Sequence, residues 1–425
     1  MNLASRLKSA LPAETYSLLR LIADEATRRG LTLYAVGGLP RDLLLRRLTR
    51  DLDLVLESDA IPLARALARA HGGRVTAHPA FHTATWFLPP SLSPEAPATP
   101  SPDTRHSPPF IDLISARSET YAHPAALPAV KLGNLNDDLR RRDFTVNAMA
   151  LRLDDDHFGE LLDPFNGKAD LRKRLVRVLH PRSFVDDPTR IFRAVRYAER
   201  YGFRLAPDTE ALVPVALKHV NKLSGERLRH ELDLILAEDT CSSAVERLRA
   251  LGVLAAVKPP LVPPKPKAIH WFGVFHPTGL DFSVSPTEMG YFFWLMDVPD
   301  ETILAFAKRL DFTADQTKAL RAASRLKRDL PALQGLRPSQ WTERLDKVPP
   351  LAIFAVRFVT RRPELKEYLL SWRRRKPTIT GEDLIARGLV PGPEFKRILS
   401  RLRAAWLDGE VTNKKEEAFL LEALL

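Results

Sequence analysis

The sequence holds 425 residues, 45% of them hydrophobic and 27% charged, enough for two to four domains that each bury a core. A single cysteine, Cys241, excludes an intramolecular disulfide and fits a reducing compartment, and no apolar run reaches the roughly 18–20 residues that span a bilayer. The 64 Lys and Arg against 52 Asp and Glu leave a net charge of +12, which suits a polyanionic partner and an ordinary basic globular protein equally.

The segment before Ser17 lacks the apolar core of a signal peptide, so a soluble, cytoplasmic protein with no membrane partner is expected. Residues 31–37 (Leu-Thr-Leu-Tyr-Ala-Val-Gly) read as a buried strand ending in a Gly37-Gly38 turn, and 39–48 as a short helix. Asp51-Leu-Asp53-Leu-Val-Leu56 alternates acidic and apolar residues before turning apolar, the pattern of a strand with one functional face. An Ala-rich helix over 60–71 stops at Gly72-Gly73, and strands follow near 74–78 and 82–88. Residues 89–109 contain eight prolines and can only be a loop inserted between strands. The next strand, Phe110 to Ile114, again carries one acid, Asp112, among apolar residues.

From about residue 180 helical periodicity takes over. Ile191, Ala194, Val195 and Ala198 follow i, i+3, i+4, i+7, and segments 208–220, 224–238 and 242–252 repeat the pattern. A Pro- and Lys-rich stretch at 258–267 marks a linker or exposed turn, and a basic region near 371–415 closes the chain. The predicted class is α+β. A catalytic head is expected over 1–150, a base-reading neck over 151–255, a helical body over 256–370 and a basic helical tail over 371–425.

Asp51 and Asp53 sit two apart on a strand, so both carboxylates project from one face. Such a pair suits Mg²⁺, a hard cation completed by substrate phosphates and water, and Asp112 supplies a third ligand from a second strand. Two ions on these three acids would flank the attacking and leaving oxygens of a phosphoryl transfer. Gly37-Gly38 offers backbone N–H groups that approach a triphosphate without Cβ interference, and Arg41 on the following helix would clamp it. An isolated Asp-x-Asp is most often a solvated strand end; the neighbouring Gly-Gly turn and arginine favour catalysis.

The run Gly37-Gly-Leu-Pro-Arg41-Asp42 followed by Asp51-Leu-Asp53-Leu54 resembles the head of the class II tRNA nucleotidyltransferase and bacterial poly(A) polymerase family. Further blocks follow in order. Asp138 to Ala150, with Arg141, Arg142, Asp143 and Asn147, resembles the family's ribose-sensing motif; Asp163-Pro-Phe-Asn-Gly167 with Asp170 resembles its hinge-like motif. Asp186-Asp187-Pro-Thr-Arg190-Ile-Phe-Arg193-Ala-Val-Arg196-Tyr197 is similar to the base-reading motif, and Ser224-Gly-Glu-Arg227 with Glu231 to the neck helix. Thr380 to Leu384 and Pro391-Gly-Pro393 resemble the C-terminal segment.

The resemblance implies a polymerase-β-like head followed by helical neck, body and tail, and an enzyme that adds the 3′-terminal CCA to tRNA from CTP and ATP. It also implies that Asp187 and Arg190 template the base. Arginine would donate to cytosine N3 or adenine N1 while aspartate accepts from the exocyclic amine; uracil and guanine present the opposite pattern and would leave buried charges unpaired. Both residues are placed in the first turn of one helix, sharing a face. Asp138, Arg141, Arg142 and Asp143 are expected to read the ribose 2′-hydroxyl and support the triphosphate, with Asn147 holding local geometry.

Three departures stand out. Asp186 replaces the usual Glu, Arg46 and Arg47 occupy the neighbourhood where a glycine commonly precedes the Asp-x-Asp strand, and the Pro-rich loop exceeds the usual hairpin. None of the eleven histidines forms a His-Asp pair of phosphohydrolase spacing, and His270 and His276 read as structural. The alternatives are a CC-only or A-only specialist, with residues 119–132 corresponding to the flexible region tied to the switch from C to A, a poly(A) polymerase, or an inactive RNA-binding module on the same scaffold. Oligomeric state is not legible.

Overall fold

The computed structural model describes residues 1–47, 52–92, 110–126, 128–262, 280, 282 and 284–425. Asp51, most of the Pro-rich insertion, the end of the Pro- and Lys-rich stretch, His270 and His276 therefore lie outside the described residues. The chain divides into two compact units, Met1–Pro260 and Leu261–Leu425.

The first unit is built on a seven-stranded sheet of order β3-β4-β5-β2-β1-β8-β9. Its strands are β1 (Leu33–Val36), β2 (Asp53–Leu56), β3 (Arg74–His78), β4 (Thr83–Phe87), β5 (Phe110–Ser115), β8 (Ala150–Arg152) and β9 (Glu160–Leu162). Strands β6 (Arg117–Thr120) and β7 (Ala129–Leu132) form a separate hairpin. β2 and β5 run parallel, and the other neighbours in the large sheet are antiparallel.

The period of two along each strand divides the core between the two faces. Leu33, Ala35, Leu54, Leu56, Leu113 and Trp86 join the cluster formed with α1 (Ala4–Ala10), α2 (Ala13–Arg28) and α4 (Ala60–His71). Tyr34, Val36 and Val55 face the other way, with Leu135 and Leu139 of α5 (Leu135–Arg140). Helix α4 starts where Asp59 accepts from the Ile61 N–H, and Gly72, at φ +85, ends it. Helix α3 (Gly38–Leu45) ends without a glycine: Arg46 takes the left-handed conformation, φ +56, and its N–H bonds the Asp42 and Leu43 carbonyls. The turn before β2 is thus opened by a non-glycine residue in a region that favours glycine.

After the sheet come α6 (Gly167–Lys173), a short α7 (Ser183–Asp186) and α8 (Thr189–Tyr201). Ile191, Phe192, Ala194, Val195 and Ala198 of α8 are fully buried; each large apolar side chain so removed from water stabilises the fold by about 1.5–3 kcal/mol. The segment 208–220 folds as two helices, α9 (Pro207–Glu210) and α10 (Val213–Val220), followed by α11 (Gly225–Leu236) and α12 (Cys241–Ala250).

Every secondary-structure element among the described residues of the second unit is a helix. Within it, the segment Thr378–Leu425 has its own small core of Leu384, Ile398, Leu402 and Leu421. Buried Glu417 ties that segment's entry by accepting from the Thr378 N–H at 2.9 Å. No described helix is long and apolar enough to cross a membrane.

Candidate active site

Parallel pairing places Asp53 of β2 directly opposite Asp112 of β5. Paired residues in a parallel sheet share a face, so both carboxylates project on the side of Val55 and Ile114, away from α2 and α4. Thr85, opposite Asp112 on β4, donates its hydroxyl to Asp112 Oδ1 at 2.6 Å, orienting that carboxylate. Asp51, the third acid of the expected set, is outside the described residues, and no group of three potential metal ligands is gathered among those described.

Gly37 closes the site from the β1 side at φ +71. A Cβ there would lie 3.0 Å from Arg142 Nη1 and 3.2 Å from Asp53 Oδ2. The backbone therefore approaches both a carboxylate and a guanidinium as closely as only glycine allows. Arg41, buried on α3, donates to Asp42 Oδ1 at 2.9 Å and lies over the rings of Tyr201 and Tyr197, 4.8 and 5.4 Å from their centroids. Those rings sit one turn apart on α8 and stack at 6.0 Å. Cations and carboxylates thus flank one glycine turn, an arrangement matched to a polyphosphate carrying divalent cations.

A chain of hydrogen bonds links this turn to α8. Arg41 Nη1 donates to Asn147 Oδ1 at 2.6 Å, Asn147 Nδ2 donates to Asp143 Oδ1 at 2.9 Å, and Arg193 donates to Asp143 Oδ2 from Nε at 2.9 Å and Nη2 at 2.6 Å. Burial alone would raise the Asp143 pKa, but the Arg193 charge and the Asn147 and Arg193 hydrogen bonds outweigh it and hold the carboxyl below the ordinary aspartate range. Its stabilising contribution is therefore present above that range and lost as pH falls through the native value.

Asp138 is fully buried beneath two arginines. Arg141 donates to Oδ1 at 2.9 and 2.6 Å, and Arg142 to Oδ2 at 3.2 and 2.9 Å. Arg141 also reaches Glu119 Oε1 at 2.9 Å. The charge run is consequently a fixed ion-pair network instead of a solvated helix end.

The structure corrects one expectation at the base-reading motif. Asp187 is not in the first turn of α8 with Arg190; its φ −135, ψ 96 are extended, and it joins α7 to α8. Pro188 explains this, because the proline ring disfavours helical geometry in the preceding residue. Arg190, buried in the first turn of α8, donates to Ser183 Oγ and to the Arg141 carbonyl, both at 2.7 Å. Asp187 Oδ1 accepts from the Thr189 N–H at 3.1 Å, Thr189 Oγ1 at 2.7 Å and Arg227 Nη2 at 2.8 Å. Asp186 accepts from Arg182 at 3.0 Å, and buried Arg196 is placed against Glu238 at 3.5 Å.

Thr85, Ser183 and the Tyr197–Tyr201 pair were not singled out from sequence. Strand alternation puts Thr85 on a face but does not name its partner, whereas the i, i+4 spacing of the tyrosines is visible. Next to Asp187, Thr189, Ser224, Arg227 and Glu231 border a cavity of about 710 Å³.

Two family models match. Residues 33–177 fit "Poly A polymerase head domain" and residues 202–263 fit "Probable RNA and SrmB- binding site of polymerase A". The chain is 30% identical over 435 residues to the A-adding tRNA nucleotidyltransferase of Halalkalibacterium halodurans, covering 98% of this chain and 94% of that one. It is 33% identical over 430 residues to the A-adding tRNA nucleotidyltransferase of Geobacter sulfurreducens, 96% of this chain but 47% of that protein's length. Against the CC-adding tRNA nucleotidyltransferase of Deinococcus radiodurans it is 33% identical over 395 residues, covering 92% and 89%. A solved apo structure of a CCA-adding enzyme superposes with a TM-score of 0.81 at 27% identity, over 100% of this chain and 99% of that one.

Proposed function

Since the chain belongs to the tRNA nucleotidyltransferase and poly(A) polymerase family, we propose that it transfers nucleotides from CTP and ATP onto the 3′ end of tRNA, building or repairing the terminal CCA. The observation that carries this reading is the pairing of Asp53 with Asp112 beside the Gly37 turn, in one compact unit with Asp187 and Arg190. The site chemistry fits two Mg²⁺ ions: oxygen ligands face one side of the sheet, and Gly37 leaves room beside Asp53 Oδ2. Asp53 and Asp112, with Asp51, would hold the ions, which when bound supply Lewis-acid stabilisation of the charge on the transferred phosphoryl group.

The protein residues do the positioning. Asp112, oriented by Thr85, holds the 3′-hydroxyl in line for attack. Arg41 and Arg142 hold the triphosphate against the Gly37-Gly38 backbone, and Asn147 keeps Arg41 aligned through Asp143 and Arg193. Asp138 and Arg141 support that wall and the ribose. Asp187 and Arg190 select bases that pair an exocyclic amine with a ring acceptor. The tRNA is the macromolecular partner, acting in the cytoplasm.

A second reading, an A-only specialist, is supported by the two A-adding relatives that align with nearly the whole chain. The CC-adding relative aligns at the same identity as one of them, so similarity alone does not sort the two. The deciding experiment supplies pure protein and Mg²⁺ with tRNA ending in the discriminator base, in C or in CC, and CTP or ATP separately. CTP incorporated on the first two and ATP on the third supports full CCA addition. ATP incorporated on tRNA-CC alone identifies the specialist, long A tails a poly(A) polymerase, and no incorporation at all an inactive module. In the same assay Asp53→Ala is expected to lower kcat by about 10³-fold or more, with the Kd for tRNA changed less than about threefold.

A further inference from the structure

We propose that Arg47, seated on the ring of Tyr201 just past the end of α3, is a further cation for the nucleotide and takes its terminal phosphates. This rests on the reading that Arg41 and the Gly37 turn hold a triphosphate.

The need for such a group follows from how Arg41 is already engaged. Its Nε donates to Asp42 Oδ1 at 2.9 Å, its Nη2 to Asp42 Oδ2 at 3.0 Å and its Nη1 to Asn147 Oδ1 at 2.6 Å. Every nitrogen of this buried guanidinium therefore has a protein partner, and the bidentate aspartate offsets its charge. What Arg41 keeps for a phosphate is one N–H on each terminal nitrogen. A polyphosphate carries more charge than that remnant answers.

Arg47 is in the reverse condition. Its side chain is exposed and makes no ion pair or hydrogen bond with a carboxylate among the described residues. Its backbone N–H is fixed to the Asp42 carbonyl at 2.9 Å. Its guanidinium carbon lies 4.8 Å from the centroid of the Tyr201 ring, and that of Arg41 lies 4.8 Å from the same centroid. The two cations cannot be further apart than twice that distance. The Tyr201 hydroxyl donates to Asp42 Oδ1 at 3.5 Å, which ties the ring to the carboxylate that holds Arg41. Stacking on an aromatic face sets the plane of a guanidinium and uses none of its N–H groups, which stay in that plane to meet an anion.

Position along α8 favours the nucleotide over the RNA backbone as the source of that anion. Arg190 and Tyr201 lie at opposite ends of the helix, about 16 Å apart along its axis. Between them Arg193 supports Arg41 through Asp143 and Asn147. Base at Arg190, inner phosphates at Arg41 and terminal phosphates at Arg47 is the order of those groups in the nucleotide itself.

Binding of ATP, CTP and AMP to the full chain with Mg²⁺ and no tRNA, measured by isothermal titration calorimetry, tests this. AMP lacks the terminal phosphates. Arg47→Met, which keeps the packing on the ring, should raise the Kd for ATP and for CTP alike by about tenfold or more, and that for AMP by less than about twofold. Tyr201→Leu should weaken ATP about fivefold with Arg47 present and add less than that in the Arg47→Met background. Tyr201→Phe, which restores the ring, should recover the binding lost in Tyr201→Leu. Each variant is first checked for an unchanged circular dichroism spectrum. Equal weakening of ATP and AMP, or unchanged binding of both, would overturn the proposal. So would a raised Kd for tRNA, read by fluorescence anisotropy, with ATP binding unchanged, which assigns Arg47 to the RNA backbone. An unmodified chain that binds ATP no more tightly than AMP overturns the triphosphate site itself, a failure distinct from that of Arg47.

Discussion

Gly37 meets two demands at one position, a positive φ and the close approach of Asp53 and Arg142. Gly37→Ala is expected to push one of those groups aside and lower kcat/KM by about 10–100-fold in the nucleotide-incorporation assay, with a smaller change in Tm. Glu231 presents the opposite case, a buried carboxyl whose Oε2 accepts no hydrogen bond among the described residues. Burial raises its pKa in spite of the attraction of Arg193 and Arg196. A carboxyl whose native pKa is raised favours the fold below the unfolded value, and that contribution is lost as pH rises through the native value. Glu231→Gln should therefore raise Tm by a few degrees at pH 8 and leave it unchanged at pH 4, read by thermal melts across that range. Legibility differs in the same way between residues. Asp53, Asp112 and Gly37 stand out because acids and glycines interrupt apolar strands. Glu231 is named in the sequence as part of the neck-helix motif, but its burial is not legible there, because burial follows from packing by distant segments.

At the scale of elements, local pattern names most strands and helices of the head, and α4 runs over the expected residues 60–71. It does not give pairing: the opposition of Asp53 to Asp112 depends on β2 and β5 running parallel, which no local signal fixes. Asp187 shows a different failure. Spacing of three suggests a shared helical face, but Pro188 forbids it, a restriction that was visible in the sequence and outweighed by the periodicity. Helix α6 illustrates how closely the elements under the site are pressed together. A Cβ at Gly167 would overlap the Thr145 carbonyl, and Thr145 Oγ1 donates to Asp170 Oδ2 at 2.7 Å, beside the turn that carries Asn147. Gly167→Ala should lower Tm by about 5 °C or more and raise the KM for nucleotide, since Asn147 and hence Arg41 shift with the turn.

At the scale of the whole molecule, the +12 charge acts on the polyanion and much less on the small substrate. The Kd for tRNA should rise about tenfold or more between 50 and 200 mM salt, measured by fluorescence anisotropy, while the KM for ATP changes about threefold or less. Equal salt dependence of the two would place the cationic contacts at the nucleotide instead of along the RNA. The parallel junction of β2 with β5 also bears on how the molecule comes into being. Its two carboxylates are 59 positions apart (112 − 53), and helix α4 and the β3–β4 hairpin lie between them. Pairing so distant in sequence must meet its loop-closure cost before any of its contacts form, so it is slow relative to the local hairpins. During synthesis, the residues up to β4 are made without the acid that faces Asp53, and the two oxygen clusters meet only after β5 has been added. The order of translation thus leaves Asp53 without the carboxylate opposite it until β5 has been made.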